Sequence, residues 1–241
     1  MASREVSYNG NRYELSYVLK NPNQDRAILI LHGWGSNKEI MQQAFGECMK
    51  DFKHIYLDMP GFGNSPNENA LTTQDYANIV RLFLEEIGVE PYIVAGHSFG
   101  GKVATLLNPP KLVLLSSAGI LVPKPLKVKA KIAITKFFNK LGLRVLKGFF
   151  VSNDAKGMNE GMYQTFKNVV NEDFENNFKN VTSETLLFWG KSDTATPLWT
   201  GEKIDSILEN SNLCQLNGDH FFFLNNSEFI CDRITKKFKV D

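Results

Sequence analysis

Five short apolar runs recur along the chain, and they restrict its possible folds more than any other feature. AILILHG (27–33), HIYLD (54–58), PYIVAG (91–96), KLVLLSSAG (111–119) and TLLFWG (185–190) are continuously hydrophobic rather than alternating. A strand that is apolar on both faces must be covered on both faces, as the central strands of a parallel sheet are. Helical patterns lie between the runs. One covers about 38–50, a second runs from a cap at Thr72 or Thr73 to Glu86 with Gly88 beyond it, and a short one follows Ser98. Another opens at Pro197, and the last reaches about Phe238. The N-terminus reads as two alternating strands turning at Asn9-Gly10, and NLCQLN as a weak late strand. Strand–helix alternation predicts an α/β fold with a mostly parallel central sheet flanked by helices.

The rhythm stops between Leu121 and Thr182, where two helical patterns occur with no strand between them. A core over 1–120 and 183–241 is therefore expected, with a helical cap inserted at 121–182. The length of 241 residues suits one domain with such an insertion. Net charge is +1, so any electrostatic preference must come from local patches. Three cysteines, odd in number and far apart in sequence, do not read as a disulfide framework or a zinc site. The N-terminus lacks the apolar centre of a signal peptide, and no apolar run reaches the length of a membrane span. A cytoplasmic protein is expected.

The segment IVAGHSFGGK sets Ser98 in G-x-S-x-G between a buried strand and a short helix. The motif alone is weak. Its place at a sharp strand-to-helix turn, where glycines let backbones approach closely, makes Ser98 a candidate nucleophile. A serine hydroxyl needs a base, and four histidines are available. His32 opens a loop and His54 begins a strand. His97 is adjacent to Ser98, so its ring is expected to point elsewhere. His220, in the loop LNGDHFFF, is the candidate base. Asp193, just past the run TLLFWG, is the expected acid, while Asp219 is expected to be a turn or capping residue. Oxyanion donors are expected from the backbone N–H groups of Phe99 and Trp34. Trp34, Phe138, Met162, Phe166 and Phe221 are the candidate walls of an apolar acyl pocket.

The segments LHGWG, DMPGFGNS, GHSFGG, WGKSDTATP and GDHFFF, in that order over nearly the whole length, resemble the α/β-hydrolases. The resemblance implies triad roles for Ser98, Asp193 and His220, oxyanion roles for Trp34 and Phe99, and no metal or organic cofactor. HGWGSNKE with DMPGFGNS is similar to the small esterases acting on pimeloyl-acyl-carrier-protein methyl ester. The meta-cleavage-product C–C hydrolases share the scaffold but usually carry Asn before the nucleophile and Trp after the catalytic histidine. Here those positions hold His97 and Phe221. Hydrolysis of a small-molecule carboxylic ester is thus the first expectation and C–C hydrolysis the alternative. A non-catalytic ligand-binding homologue would usually lack a triad member or an elbow glycine, and all are present.

Residues 121–153 hold eight Lys or Arg and no Asp or Glu. Lys136, Lys140, Arg144 and Lys147 share one helical face, opposite Ile134, Phe137, Phe138, Leu141 and Val145. This reads as a cap helix laying its apolar face over the pocket, or as a docking surface for an acidic partner such as acyl carrier protein. No nucleic-acid reading motif accompanies the lysines.

Overall fold

The computed structural model describes residues 2–123 and 158–238. Phe138, Lys136, Lys140, Arg144 and Lys147 lie outside the described residues. Eight strands form one sheet: β1 (Ala2–Tyr8), β2 (Asn11–Lys20), β3 (Ala27–Leu31), β4 (Lys53–Leu57), β5 (Pro91–His97), β6 (Lys111–Leu115), β7 (Glu184–Gly190) and β8 (Ser211–Leu216). Their order is β1-β2-β4-β3-β5-β6-β7-β8. The pairings of β1 with β2 and of β2 with β4 are antiparallel, and the rest are parallel. The first hairpin turns at Asn9 and Gly10, both at positive φ (50° and 76°), as the Asn-Gly pair predicts.

Among the described residues the helices are α1 (Lys38–Phe45), α2 (Thr73–Glu86), α3 (Phe99–Leu107), α4 (Glu160–Val169), α5 (Glu175–Lys179), α6 (Leu198–Ile207) and α7 (Ser227–Phe238). Thr72 caps α2 in a reciprocal pairing with Asp75. The helix expected over 38–50 stops at Phe45, with Gly46 as its cap.

Successive side chains of a strand point to opposite faces, and β3 shows why its run is apolar throughout. Leu29 and Leu31 join a core with Ile79 and Phe83 of α2, Val103 of α3 and Ile204 of α6. Ile28 and Ile30 face Met41 and Phe45 of α1 and Ile230 and Ile234 of α7. The chain leaves β3 towards β4 and returns on the other side at β5. The crevice between the C-terminal ends of β3 and β5 is therefore a topological switch point, where open α/β sheets bind ligands.

One expectation is overturned. Cys48 and Cys231 form a disulfide with Cα atoms 6.2 Å apart, across a sequence separation of 183. The packing of α7 beside α1 brings them together, which spacing along the chain does not show. Cys214 is free.

Candidate active site

The two loops at the switch point begin with His32 and Ser98. Ser98 sits at φ 51° and ψ −113°, a conformation that costs a non-glycine residue energy and is held by its surroundings. Its N–H donates to Leu115 C=O at 3.1 Å, and its C=O accepts from Gly101 and Ala118 N–H, both at 3.0 Å. Close approach makes the turn possible. A Cβ at Gly96 would collide with the Gly100 backbone, and one at Gly100 with the His32 carbonyl. Ser98 is only partly buried, and its hydroxyl has no hydrogen-bond partner among the described residues.

Asp193 and His220 come together from the ends of the neighbouring strands β7 and β8. His220 Nδ1–H donates to Asp193 Oδ2 at 2.8 Å, which leaves Nε2 with its lone pair. Burial works against the Asp193 carboxylate. The hydrogen bond and charge of His220 and the Thr196 backbone N–H outweigh it and hold the carboxyl at about 2. A Cβ at Gly190 would strike the Asp219 carbonyl, so this glycine lets the His220 loop lie against the end of β7. Asp219 is a turn residue, as expected: its Oδ1 accepts the Phe221 N–H at 2.8 Å.

The turn after β3 closes with Ser36 N–H on Gly33 C=O at 3.2 Å and has Gly35 at φ 70°. Its position is fixed by His32, a fully buried ring. Nδ1–H donates to Gly33 C=O at 2.8 Å, and Nε2 accepts the Met59 N–H at 3.1 Å. Phe99 is the first residue of α3, so its N–H has no intrahelical acceptor. The Trp34 ring meets Phe99 at 5.6 Å, Phe62 at 4.9 Å and Phe166 of α4 at 5.4 Å. A cleft of about 540 Å³ lies beside it, lined by Phe62, Asn67, Met158 and Met162 among others. Phe221 is 41% exposed, with its ring 5.7 Å from that of His220. Among the described residues, then, Trp34, Phe99 and Phe166 come together, Met162 lines the adjoining cleft, and Phe221 stands beside His220.

Sequence reasoning misplaced His97 and missed Thr196. The His97 ring does not turn away from the site: its centroid is 4.6 Å from that of His220. Thr196 donates its backbone N–H to Asp193 Oδ1 at 2.9 Å, and its Oγ1 lies 2.9 Å from Oδ2. Thr196 lies within WGKSDTATP, three residues after Asp193, while the partner of His97 is 123 residues away and leaves no trace in GHSFGG.

A family profile described as alpha/beta hydrolase fold matches residues 26–141. The thermophilic esterase of Thermogutta terrifontis superposes with a TM-score of 0.76 over 98% of each chain, at 15% identity. This is an α/β-hydrolase fold. The enol-lactonase of Burkholderia xenovorans LB400 is similar at a TM-score of 0.74, covering 97% of this chain and 98% of that one at 14% identity. Among curated proteins, the pimeloyl-[acyl-carrier protein] methyl ester esterase of Vibrio campbellii (strain ATCC BAA-1116) is 36% identical over 88 residues. That match spans 36% of this chain and 33% of the relative's length. An uncharacterized hydrolase of Bacillus subtilis (strain 168) is 26% identical over 82% of this chain and 83% of its own.

Proposed function

We propose that the protein is a serine hydrolase that cleaves a carboxylic ester through a Ser98–His220–Asp193 triad. The observation that carries this reading is the Asp193–His220 hydrogen bond of 2.8 Å, formed at the sheet end where Ser98 is held in its strained turn. The names of several relatives, hydrolases and carrier-protein ester esterases, support it.

In the first half-reaction His220 Nε2 takes the Ser98 hydroxyl proton as Oγ attacks the acyl carbon. The Trp34 and Phe99 N–H groups hold the oxyanion, and Asp193 stabilises the imidazolium. The tetrahedral intermediate collapses, and His220 returns the proton to the departing alcohol. Water, deprotonated by His220, then attacks the acyl-enzyme and releases the acid, and Ser98 recovers its proton. Trp34, Phe166 and Met162 wall an acyl pocket in this reading. A carrier-bound acyl group is the finer expectation, with the basic segment around Lys136, Lys140 and Arg144 meeting the acidic carrier.

The test is hydrolysis of p-nitrophenyl esters of rising chain length by the native chain and by Ser98→Ala. We expect turnover that falls at least about a thousandfold in the variant. Turnover that survives in Ser98→Ala removes the nucleophile assignment. Labelling of Ser98 by a fluorophosphonate with no ester turned over would point to a specialised leaving group, and C–C hydrolysis and a carrier-bound ester would be tested next.

A further inference from the structure

His97 is a fully buried imidazole with an unusual hydrogen-bond balance. His32 and His54 engage both ring nitrogens. His97 engages one: Nε2–H donates to the backbone C=O of His220 at 2.9 Å, while Nδ1 is buried with no partner among the described residues. An unpaired buried acceptor is a cost. Phenylalanine would fill much the same space between His220, Phe221 (5.4 Å) and Phe223 (4.8 Å) without incurring it. What the imidazole adds is the bond to His220.

We propose that His97 is a positioning residue for His220, holding the main chain of the base loop while Asp193 holds the ring. The proposal rests on the triad reading above. The base loop lies outside regular structure between β8 and the turn Phe222–Leu224, and it passes through Gly218 at φ 134°. The bond to His97 crosses 123 residues of sequence and ends one residue from Ser98. The distance from nucleophile to base is thus set by a side chain from the elbow itself. Burial, and then the neighbouring His220 charge, push the His97 imidazole down to about 3. It therefore stays neutral when His220 takes the proton, and no like-charge pair forms between the two neighbouring rings.

The test compares His97→Phe, which keeps a ring but loses the donor, with His97→Gln, whose amide can present N–H near the Nε2 position. Ser98→Ala is measured beside them. On a p-nitrophenyl ester, His97→Phe should lower kcat about 10- to 100-fold with KM within about threefold, the loss expected for a base misplaced by about an ångström. His97→Gln should recover most of it. The His220 Nδ1–H proton resonance, followed by NMR, should broaden or vanish in His97→Phe and return in His97→Gln. His97→Asn, too short to reach the carbonyl, replaces the phenylalanine variant if that one does not fold. The proposal falls if the donor-less variant keeps its kcat, or if the glutamine variant loses as much as it does. Should native hydrolysis survive Ser98→Ala, the triad reading fails, and the NMR comparison still decides whether His97 positions His220.

Discussion

Asp193 accepts on both carboxylate oxygens. Ala195 and Thr196 N–H reach Oδ1 at 2.8 and 2.9 Å, and His220 Nδ1–H and Thr196 Oγ1 reach Oδ2 at 2.8 and 2.9 Å. The single Thr196 hydroxyl proton has a second acceptor, Ser116 C=O at 3.1 Å. A carboxyl held at about 2 in the folded chain and near 3.9 in the unfolded one makes stability depend on pH. Between those values the unfolded chain binds the proton and the folded chain does not, so stability falls as pH falls. The contribution, on the order of 2 kcal/mol, is complete above about pH 4 and lost by about pH 2. Asp193→Asn has no such carboxyl. Urea titrations should therefore show the gap between the native chain and Asp193→Asn narrowing by about 2 kcal/mol from pH 4 to pH 2. A gap that stays constant over that interval would mean that the folded carboxyl is not depressed.

At the scale of elements, the loop after β4 is organised by one buried ion pair. Asp58, at the end of β4, takes the Lys38 N–H at 2.7 Å, Lys38 Nζ at 2.5 Å and the Asn64 N–H at 2.9 Å. Lys38 and Asp58 are both fully buried, and Lys38 Nζ also reaches Glu39 at 2.8 Å. This ties the start of α1 to the loop that carries Phe62, one of the rings against Trp34. Asp58→Ala strands two backbone N–H groups and leaves the buried ammonium with Glu39 alone, so it should cost about 3–5 kcal/mol in denaturant titration. Lys38→Met leaves the carboxylate with its two N–H donors and should cost less. The reverse order would show that the carboxylate is not the organising group. The apolar runs made the sheet legible in the sequence, because burial on both faces leaves a pattern that needs no knowledge of neighbours. The placing of Ser98, Asp193 and His220 at one end of the sheet was legible for a similar reason, since each follows a strand. The Lys38–Asp58 pair and the direction of the His97 ring were not. Each depends on which loops meet at the sheet end, and DMPGFGNS or GHSFGG alone carries no record of that.

For the whole molecule, the least legible feature joins its two ends. Cys48 follows α1, Cys231 lies in α7, and both helices cover the sheet face that carries Ile28 and Ile30. Their spacing looked like that of unpaired thiols, because sequence distance says nothing about two helices that pack side by side. A crosslink acts chiefly on the unfolded chain, where it closes a loop, and the entropy it removes grows only as the logarithm of loop length. Here the loop contains β4 to β8, so opening the bond returns conformational freedom to most of the sheet-forming residues in the unfolded chain. Under denaturing conditions without reductant, alkylation should therefore tag one thiol, Cys214, and after reduction all three cysteines of the chain. Replacing Cys48 and Cys231 together by serine should lower stability by about 2–5 kcal/mol. Hydrolysis by the folded double variant should persist, since neither cysteine touches Ser98, Asp193 or His220. Three tagged thiols before reduction would show the pair to be open, and stability would then be indifferent to the double replacement beyond the small loss expected from burying serine in place of Cys231.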